Sequence, residues 1–240
     1  MTSAPIVLWQ MQPLWGLPNA SPFCMKVETW LRMAGLPYQT RTITGPPKSK
    51  SSKIPYIERA DGSLLYDSSC IVETLARERG VALDGHLSAS DRAVGLLLQR
   101  TLEESLYFLV LHDRWVHDPN WARTARDYFG HFPLPMRVLV VPLIRRKMVA
   151  AALGQGVARL PASERLARGK ADVRAIAQLL GDKPYFFSRP SSYDAIAYAF
   201  LANVVWAPYE NAIKDELRAQ PNLVAFLERM KAAYYADWPG

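Results

Sequence analysis

Ser21-Pro22-Phe23-Cys24-Met25-Lys26 decides how this chain reads. Ser21 has the side chain of a helix N-cap, and Pro22 suits the first helical position. Val27, Trp30, Leu31 and Ala34 then recur at helical spacing. Gly35 fits the residue just past a helix end, and Pro37 forbids continuation. Upstream, Ile6-Val7-Leu8-Trp9 is a short apolar run rich in β-branched and aromatic residues, which reads as a buried strand. Residues 10–20 hold Pro13, Gly16, Pro18 and Asn19 and read as a loop. The opening stretch therefore sits at a strand-to-helix junction.

Downstream, residues 38–43 alternate like a strand, and residues 44–52 are Gly-, Pro-, Ser- and Lys-rich loop. Residues 54–57 read as a strand, Asp61-Gly62 as a hairpin turn and residues 64–66 as the returning strand. Residues 68–79 are helical again. The order is β-α-β, then β-β-α. After Leu83-Asp84-Gly85-His86 the pattern turns helical nearly throughout. Ser88 and Asp91 form a capping-box pair opening a long helix. Its expected apolar stripe is Val94, Leu97, Leu98, Leu102, Leu106, Leu109 and Val110, with Pro119 as its stop. Helices are expected over 122–128, over 134–153 with a break or kink near Pro142, and over 162–180. Ser191-Ser192-Tyr193-Asp194 is a second capping box, opening a very apolar helix to Trp206. Pro221-Asn222 starts the last helix. The expected units are residues 1–81 and 88–240, with residues 81–87 as linker.

The totals narrow the class. At 240 residues the chain can bury a large core, and 50% hydrophobic with 21% charged residues is an ordinary globular balance. The net charge of +7 permits a nucleic-acid or anionic-membrane partner, and equally a basic cleft that draws in small anions. The bases are scattered, with short runs only at Lys48-Ser49-Lys50 and Arg145-Arg146-Lys147, so no nucleic-acid partner is expected. Two cysteines, Cys24 and Cys70, are no disulfide framework and point to a reducing, cytoplasmic compartment. Met1-Thr2-Ser3-Ala4-Pro5 carries no basic leader, so no signal peptide is expected.

Three places carry chemistry. A helix N-terminus presents unpaired N–H groups and partial positive charge, which stabilise a sulfur anion. Ser21 stands there: it is a plain cap, or its hydroxyl hydrogen-bonds the thiolate of a bound molecule. Pro55 starts a strand facing that helix end. It is an ordinary strand-starting proline, or a cis proline that turns the N–H and C=O of Ile54 outward to pair with an extended peptide. At Asp67-Ser68, Ser68 is expected to cap the next helix; the pair is that plain cap, or a clamp in which Ser68 takes a carboxylate and Asp67 an amine. Cys24 lies one turn into its helix and is expected to be buried and inert.

The segment from Leu17 to Tyr38, with Lys53-Ile54-Pro55-Tyr56-Ile57 and Tyr66-Asp67-Ser68-Ser69-Cys70-Ile71, resembles the glutathione S-transferase superfamily. More narrowly it is similar to the branch of the failed-axon-connections and metaxin proteins. The second capping box resembles one in that family's helical domain. The resemblance implies an α/β thioredoxin-like N-terminal domain plus an all-α C-terminal domain. It implies glutathione as co-substrate, with its γ-glutamyl end at Asp67 and Ser68 and its cysteinyl backbone at Ile54 beside a cis Pro55. Its sulfur would face Ser21, and its glycyl carboxylate Lys53. The second substrate would sit between the domains. Asp67 stands where many members have Glu, and Pro22-Phe23-Cys24 is glutaredoxin-like.

The expectation is thus a cytoplasmic, homodimeric detoxification enzyme, a glutathione transferase acting on an apolar electrophile. The alternatives are a non-catalytic, metaxin-like adaptor and a glutathione-dependent reductase or peroxidase using Cys24. His112, Asp113, His117 and Asp118 have the wrong spacing for ligands on one face, so no metal is expected. Tyr107, Phe108, Trp115, Trp121, Tyr128 and Phe129 are core residues or pocket walls. The apolar run 136–148 with its three bases reads as a buried helix, with a segment that touches membrane or forms a partner surface as the alternatives, and a membrane partner is not expected.

Overall fold

The computed structural model describes residues 5–50 and 52–238; the reading of residues 1–4, and Ser51 in the predicted loop, lie outside them. Strand β1 (Ile6–Gln10) leads through a loop to helix α1 (Pro22–Met33), then β2 (Tyr38–Thr42), β3 (Tyr56–Glu58), β4 (Leu64–Tyr66) and α2 (Ser68–Arg79). The sheet order is β2-β1-β3-β4, with β2 parallel to β1 and both β3 and β4 antiparallel to their neighbours. This is the thioredoxin-like arrangement. Period-two alternation explains β1: Ile6, Leu8 and Gln10 are buried while Val7 and Trp9 are half-exposed. Ile6, Leu8 and Ile57 pack against Val27, Trp30 and Leu31 of α1 and Ile71 and Leu75 of α2. Strand β3 begins two residues later than its expected start because the Ile54–Pro55 peptide is cis and Pro55 has no N–H for the ladder.

The helical part comprises α3 (Ala89–Arg100), a π-helical segment (Thr101–Leu106), α4 (Tyr107–Trp115), α5 (Asp118–Phe129), α6 (Leu134–Gln155), α7 (Ala162–Leu180), α8 (Ser192–Val205), α9 (Ala212–Arg218) and α10 (Pro221–Tyr234). Helix α8 is its axle. Its residues from Asp194 to Val204 are all buried. Its start is fixed by Asp194, whose carboxylate accepts from Ser191 N–H, Ser191 Oγ and Phe186 N–H. Helix α1 packs along it, and Trp30 Nε1 donates to Ser192 Oγ at 3.0 Å.

Four expectations change. The helix opened at Ser88 ends at Trp115, and Pro119 lies in the first turn of α5 rather than closing it; a proline suits a helix start as well as it forbids an interior. Leu97 is not on the buried stripe but 68% exposed. The buried face of α3 runs through Gly95 and Leu98, and Leu97 lies one step around the helix from it. Helix α6 runs through Pro142 without a break. Helix α9 was not foreseen; its start is capped by Asn211, whose Oδ1 accepts from Ile213 and Lys214.

Candidate functional site

Register brings the three sequence features to one edge of the sheet. Tyr56 pairs with Trp9 of β1 on one side and Tyr66 of β4 on the other. One step beyond these pairs lie Pro55 just before β3, Gln10 at the end of β1 and Asp67 just after β4. The loop after Gln10 returns to Ser21 at the head of α1, while Asp67 heads α2. The cis Pro55 is thus flanked by two helix N-termini, each with unpaired N–H groups.

Ser21 holds the N-cap backbone conformation, yet its side chain makes no capping hydrogen bond among the described residues. Its N–H donates instead to Asn19 Oδ1 at 2.9 Å, and Asn19 Nδ2 donates to the Met11 carbonyl. Asn19 is fully buried, so it fixes the loop from inside, and the half-buried Ser21 hydroxyl, unused as a cap, meets the Cys24 thiol. Cys24 is fully buried one turn further on. Burial pushes its thiol up to about 12, tempered by the Ser21 side chain and the Met11 backbone. A thiolate fraction on the order of 10⁻⁴ at pH 8 makes it a poor nucleophile. Cys70 is exposed. Native protein should therefore release one equivalent of thionitrobenzoate from Ellman's reagent promptly, and the second only in denaturant. Prompt reaction of two thiols, or of one in Cys70→Ser, would show that Cys24 is open.

Ile54 is half-buried, and among the described residues nothing hydrogen-bonds its N–H or C=O. Lys53 is exposed, with its own N–H and C=O both bonded to Ser49 Oγ. Asp67, rather than the expected Ser68, is the N-cap of α2, and it adopts φ 69° and ψ 125°, a positive-φ backbone uncommon outside glycine. Its Oδ1 accepts from Ser69 N–H at 3.0 Å and Cys70 N–H at 3.1 Å. Both caps use the same oxygen, so Oδ2 is left for another donor. Ser68 beside it is buried.

Sequence reasoning missed the groups that hold this site to the helical domain. Lys26, 2% exposed, donates to Glu103 Oε1 at 2.7 Å and to Ser69 Oγ at 2.8 Å. Gln99 Nε2 bridges Ser69 Oγ and Glu103 Oε2. On the other flank, buried Arg114 of α4 donates to the Ala20 carbonyl at 2.9 Å and to Asn203 of α8, and lies over the Trp15 ring. Trp15 is itself at φ 58°, and its Nε1 donates to Asp127. The one available signal was a polar residue on an apolar helix face: Lys26 falls among Met25, Val27 and Trp30 on α1.

Next to Ser21, Phe23 packs edge-on against Tyr107 of α4 at 4.8 Å and Phe200 of α8 at 5.1 Å, and Phe108 continues the wall. Burial raises the Tyr107 phenol to about 12, so it stays protonated and uncharged. Trp115, Trp121, Tyr128 and Phe129 form a second aromatic cluster. His112 is pushed down to about 4 by burial and by Arg165 and His117, so it is neutral at pH 7. No metal-binding cluster occurs among the described residues.

Comparison with known proteins agrees with this geometry. Residues 22–121 match the glutathione S-transferase N-terminal domain and residues 169–230 the glutathione S-transferase C-terminal domain. The chain is 30% identical over 235 residues to an isoprene-epoxide–glutathione S-transferase from Rhodococcus sp. (strain AD45), covering 95% of this chain and 99% of that one. It is 28% identical over 246 residues to Failed axon connections from Drosophila melanogaster, covering 97% of this chain but 59% of that longer protein. A crystal structure of a glutathione S-transferase from Methylobacterium radiotolerans, in complex with glutathione sulfonate, shares the fold. The two superpose with TM-score 0.62 at 17% identity, over 98% of this chain and 95% of that one.

Proposed function

The chain belongs to the glutathione S-transferase family, and on that footing we propose that it binds glutathione along Ser21, Ile54 and Asp67 and transfers it to an apolar electrophile. The observation that carries this reading is the Ser21 hydroxyl. It stands at a helix N-terminus, is not used as a cap, and shares a sheet edge with the cis Pro55 and Asp67.

Each residue then has a defined task. The free N–H and C=O of Ile54 pair strand-fashion with the cysteinyl unit of glutathione. Ser68, at the head of α2, takes the γ-glutamyl carboxylate with its N–H and hydroxyl. Asp67 takes the ammonium on Oδ2 while Oδ1 keeps its cap. Lys53, exposed beside Ile54, meets the glycyl carboxylate. The sulfur lies at the head of α1, where the helix dipole and the Ser21 hydroxyl hold it as thiolate and lower its pKa by about 1–2 units. The thiolate attacks the electrophilic carbon, a C–S bond forms, and the displaced oxygen or leaving group takes the electron pair. Phe23, Tyr107, Phe108 and Phe200 wall the apolar seat beside Ser21 and hold the electrophile against the sulfur. The name of the Rhodococcus relative makes an epoxide the first electrophile to try. A reductase reading built on Cys24 is disfavoured by that thiol's burial.

Isothermal titration with reduced glutathione tests the reading, alongside Asp67→Asn and Ser21→Ala. Asparagine tolerates the Asp67 backbone and keeps the cap oxygen, so it removes mainly the charge. Micromolar to low-millimolar binding is expected in the wild type, weakened at least tenfold in Asp67→Asn. Ser21→Ala should bind glutathione but lose about 1–3 kcal/mol of thiolate stabilisation, roughly 10–100-fold in rate with an apolar epoxide. No heat with the wild type would reject the glutathione seat and turn attention to a non-catalytic, partner-binding role.

A further inference from the structure

Helix α6 carries apolar side chains on its outward side as well as its inward one. Inward, Val141 and Ala152 are buried and Ile144 packs on the Tyr128–Phe129 cluster. Arg145 also turns inward, donating to the Trp115 carbonyl and to Asp118 and lying over Trp121. Outward, Leu134 is 69%, Leu139 67% and Leu143 58% exposed, and Met136, Val138 and Leu153 are exposed with them. Leu139, Leu143, Arg146, Ala150 and Leu153 fall on one stripe by their spacing of four and three. Exposed leucines clustered on one helix and flanked by bases mark an interaction surface.

Charge selects the occupant. The 22 residues of α6 contain no Asp or Glu. Arg137, Arg146 and Lys147 are exposed and have no acidic partner among the described residues. Two copies joined through this stripe would set Arg146 and Lys147 against their own kind with no carboxylate to offset them, on a chain of net charge +7. An anionic bilayer answers both halves of the surface. Leucines enter the acyl boundary, while arginine and lysine stems lie along it with their charges among the headgroups. No helix among the described residues is long and apolar enough to cross a membrane, so α6 would lie on the bilayer. We propose that the outer face of α6 docks the protein on an anionic lipid surface, which revises the expectation of no membrane partner.

Vesicle flotation of the full chain tests this, using phosphatidylcholine vesicles with and without about 30% phosphatidylserine. The wild type should float with the anionic vesicles at least tenfold better than with neutral ones, and less well as salt rises above about 0.15 M. Leu139→Ser/Leu143→Ser and Arg146→Glu/Lys147→Glu should each cut the partition at least tenfold, with circular dichroism unchanged. The proposal falls if the wild type stays unbound, if it floats equally on both vesicles, or if the leucine variant binds as well as the wild type. It also falls if sedimentation equilibrium finds a dimer that the leucine variant dissolves, which would assign the face to a second copy.

Discussion

Lys26→Met is expected to destabilise the protein by about 3–5 kcal/mol, because it leaves the Glu103 carboxylate buried without its counter-ion. Lys26 and Glu103 are 2% and 7% exposed and meet at 2.7 Å. Glu103 would retain only Gln99, whose amide nitrogen reaches its other oxygen at 3.0 Å. The pair itself need not stabilise, since both ions lose their hydration, and the cost lies in breaking one side of it. Hence Lys26→Met/Glu103→Leu should recover most of the loss. Urea unfolding at pH 7 of the wild type, both single variants and the double variant gives the cycle. Two single losses near 4 kcal/mol with a small double loss support the account. A Lys26→Met loss below about 1 kcal/mol would mean that water reaches the pair and the network is open.

The same change reaches the candidate site. Ser69 Oγ accepts from both Lys26 and Gln99, and Ser69 is the neighbour of Ser68 and a donor to Asp67. Without Lys26 the head of α2 loses its tie to α1. Glutathione affinity should weaken in Lys26→Met even where the protein is still folded, and Lys26→Met/Glu103→Leu should restore stability more fully than affinity. That split separates a positioning role from a purely structural one.

The sequence was most legible where structure is local. Ser21-Pro22 and Gly35-Leu36-Pro37 bracket α1 because caps and prolines act on their own backbone. The run 68–79 matched α2 (Ser68–Arg79) because Asp67 and Gly80 punctuate both its ends. The cis option at Pro55 was legible because only proline makes that isomer readily. What could not be read depends on distant partners. Nothing in spacing links Lys26 to Glu103, 77 residues away. The π segment at Thr101–Leu106 carries no sequence mark. Helix α6 shows the same limit: its apolar residues read as core, and only tertiary packing reveals which face the core leaves open.

Arg114→Leu carries the second large effect, about 3 kcal/mol of stability, together with loss of the site's geometry. The Arg114 guanidinium is buried, and among the described residues no carboxylate pairs with it. It donates to the Ala20 carbonyl, to the Asn203 carbonyl and side-chain oxygen, and more loosely to Tyr128 Oη at 3.5 Å. Trp15 and Tyr209 present their rings to it at 5.1 and 5.7 Å. Leucine keeps part of the stem volume but strands these buried acceptors, at about 1–3 kcal/mol each, against which stands relief from desolvating a lone cation. The Ala20 carbonyl immediately precedes Ser21, so the loop that sets the Ser21 hydroxyl loses its tie to α4 and keeps only the longer contacts from Asn203 Nδ2 to the Asn19 carbonyl at 3.3 Å and from Tyr128 Oη to Ala20 at 3.4 Å. Arg114→Lys should recover less than half, since one ammonium cannot span acceptors on two elements as a planar fork does. Urea midpoints, with glutathione affinity measured well below them, distinguish the outcomes. A stable Arg114→Leu protein with full affinity would mean that Asn19 and Asp127 hold the loop unaided. A protein both weakened and at least tenfold poorer in binding would make Arg114 the anchor through which the helical domain sets the candidate thiol site.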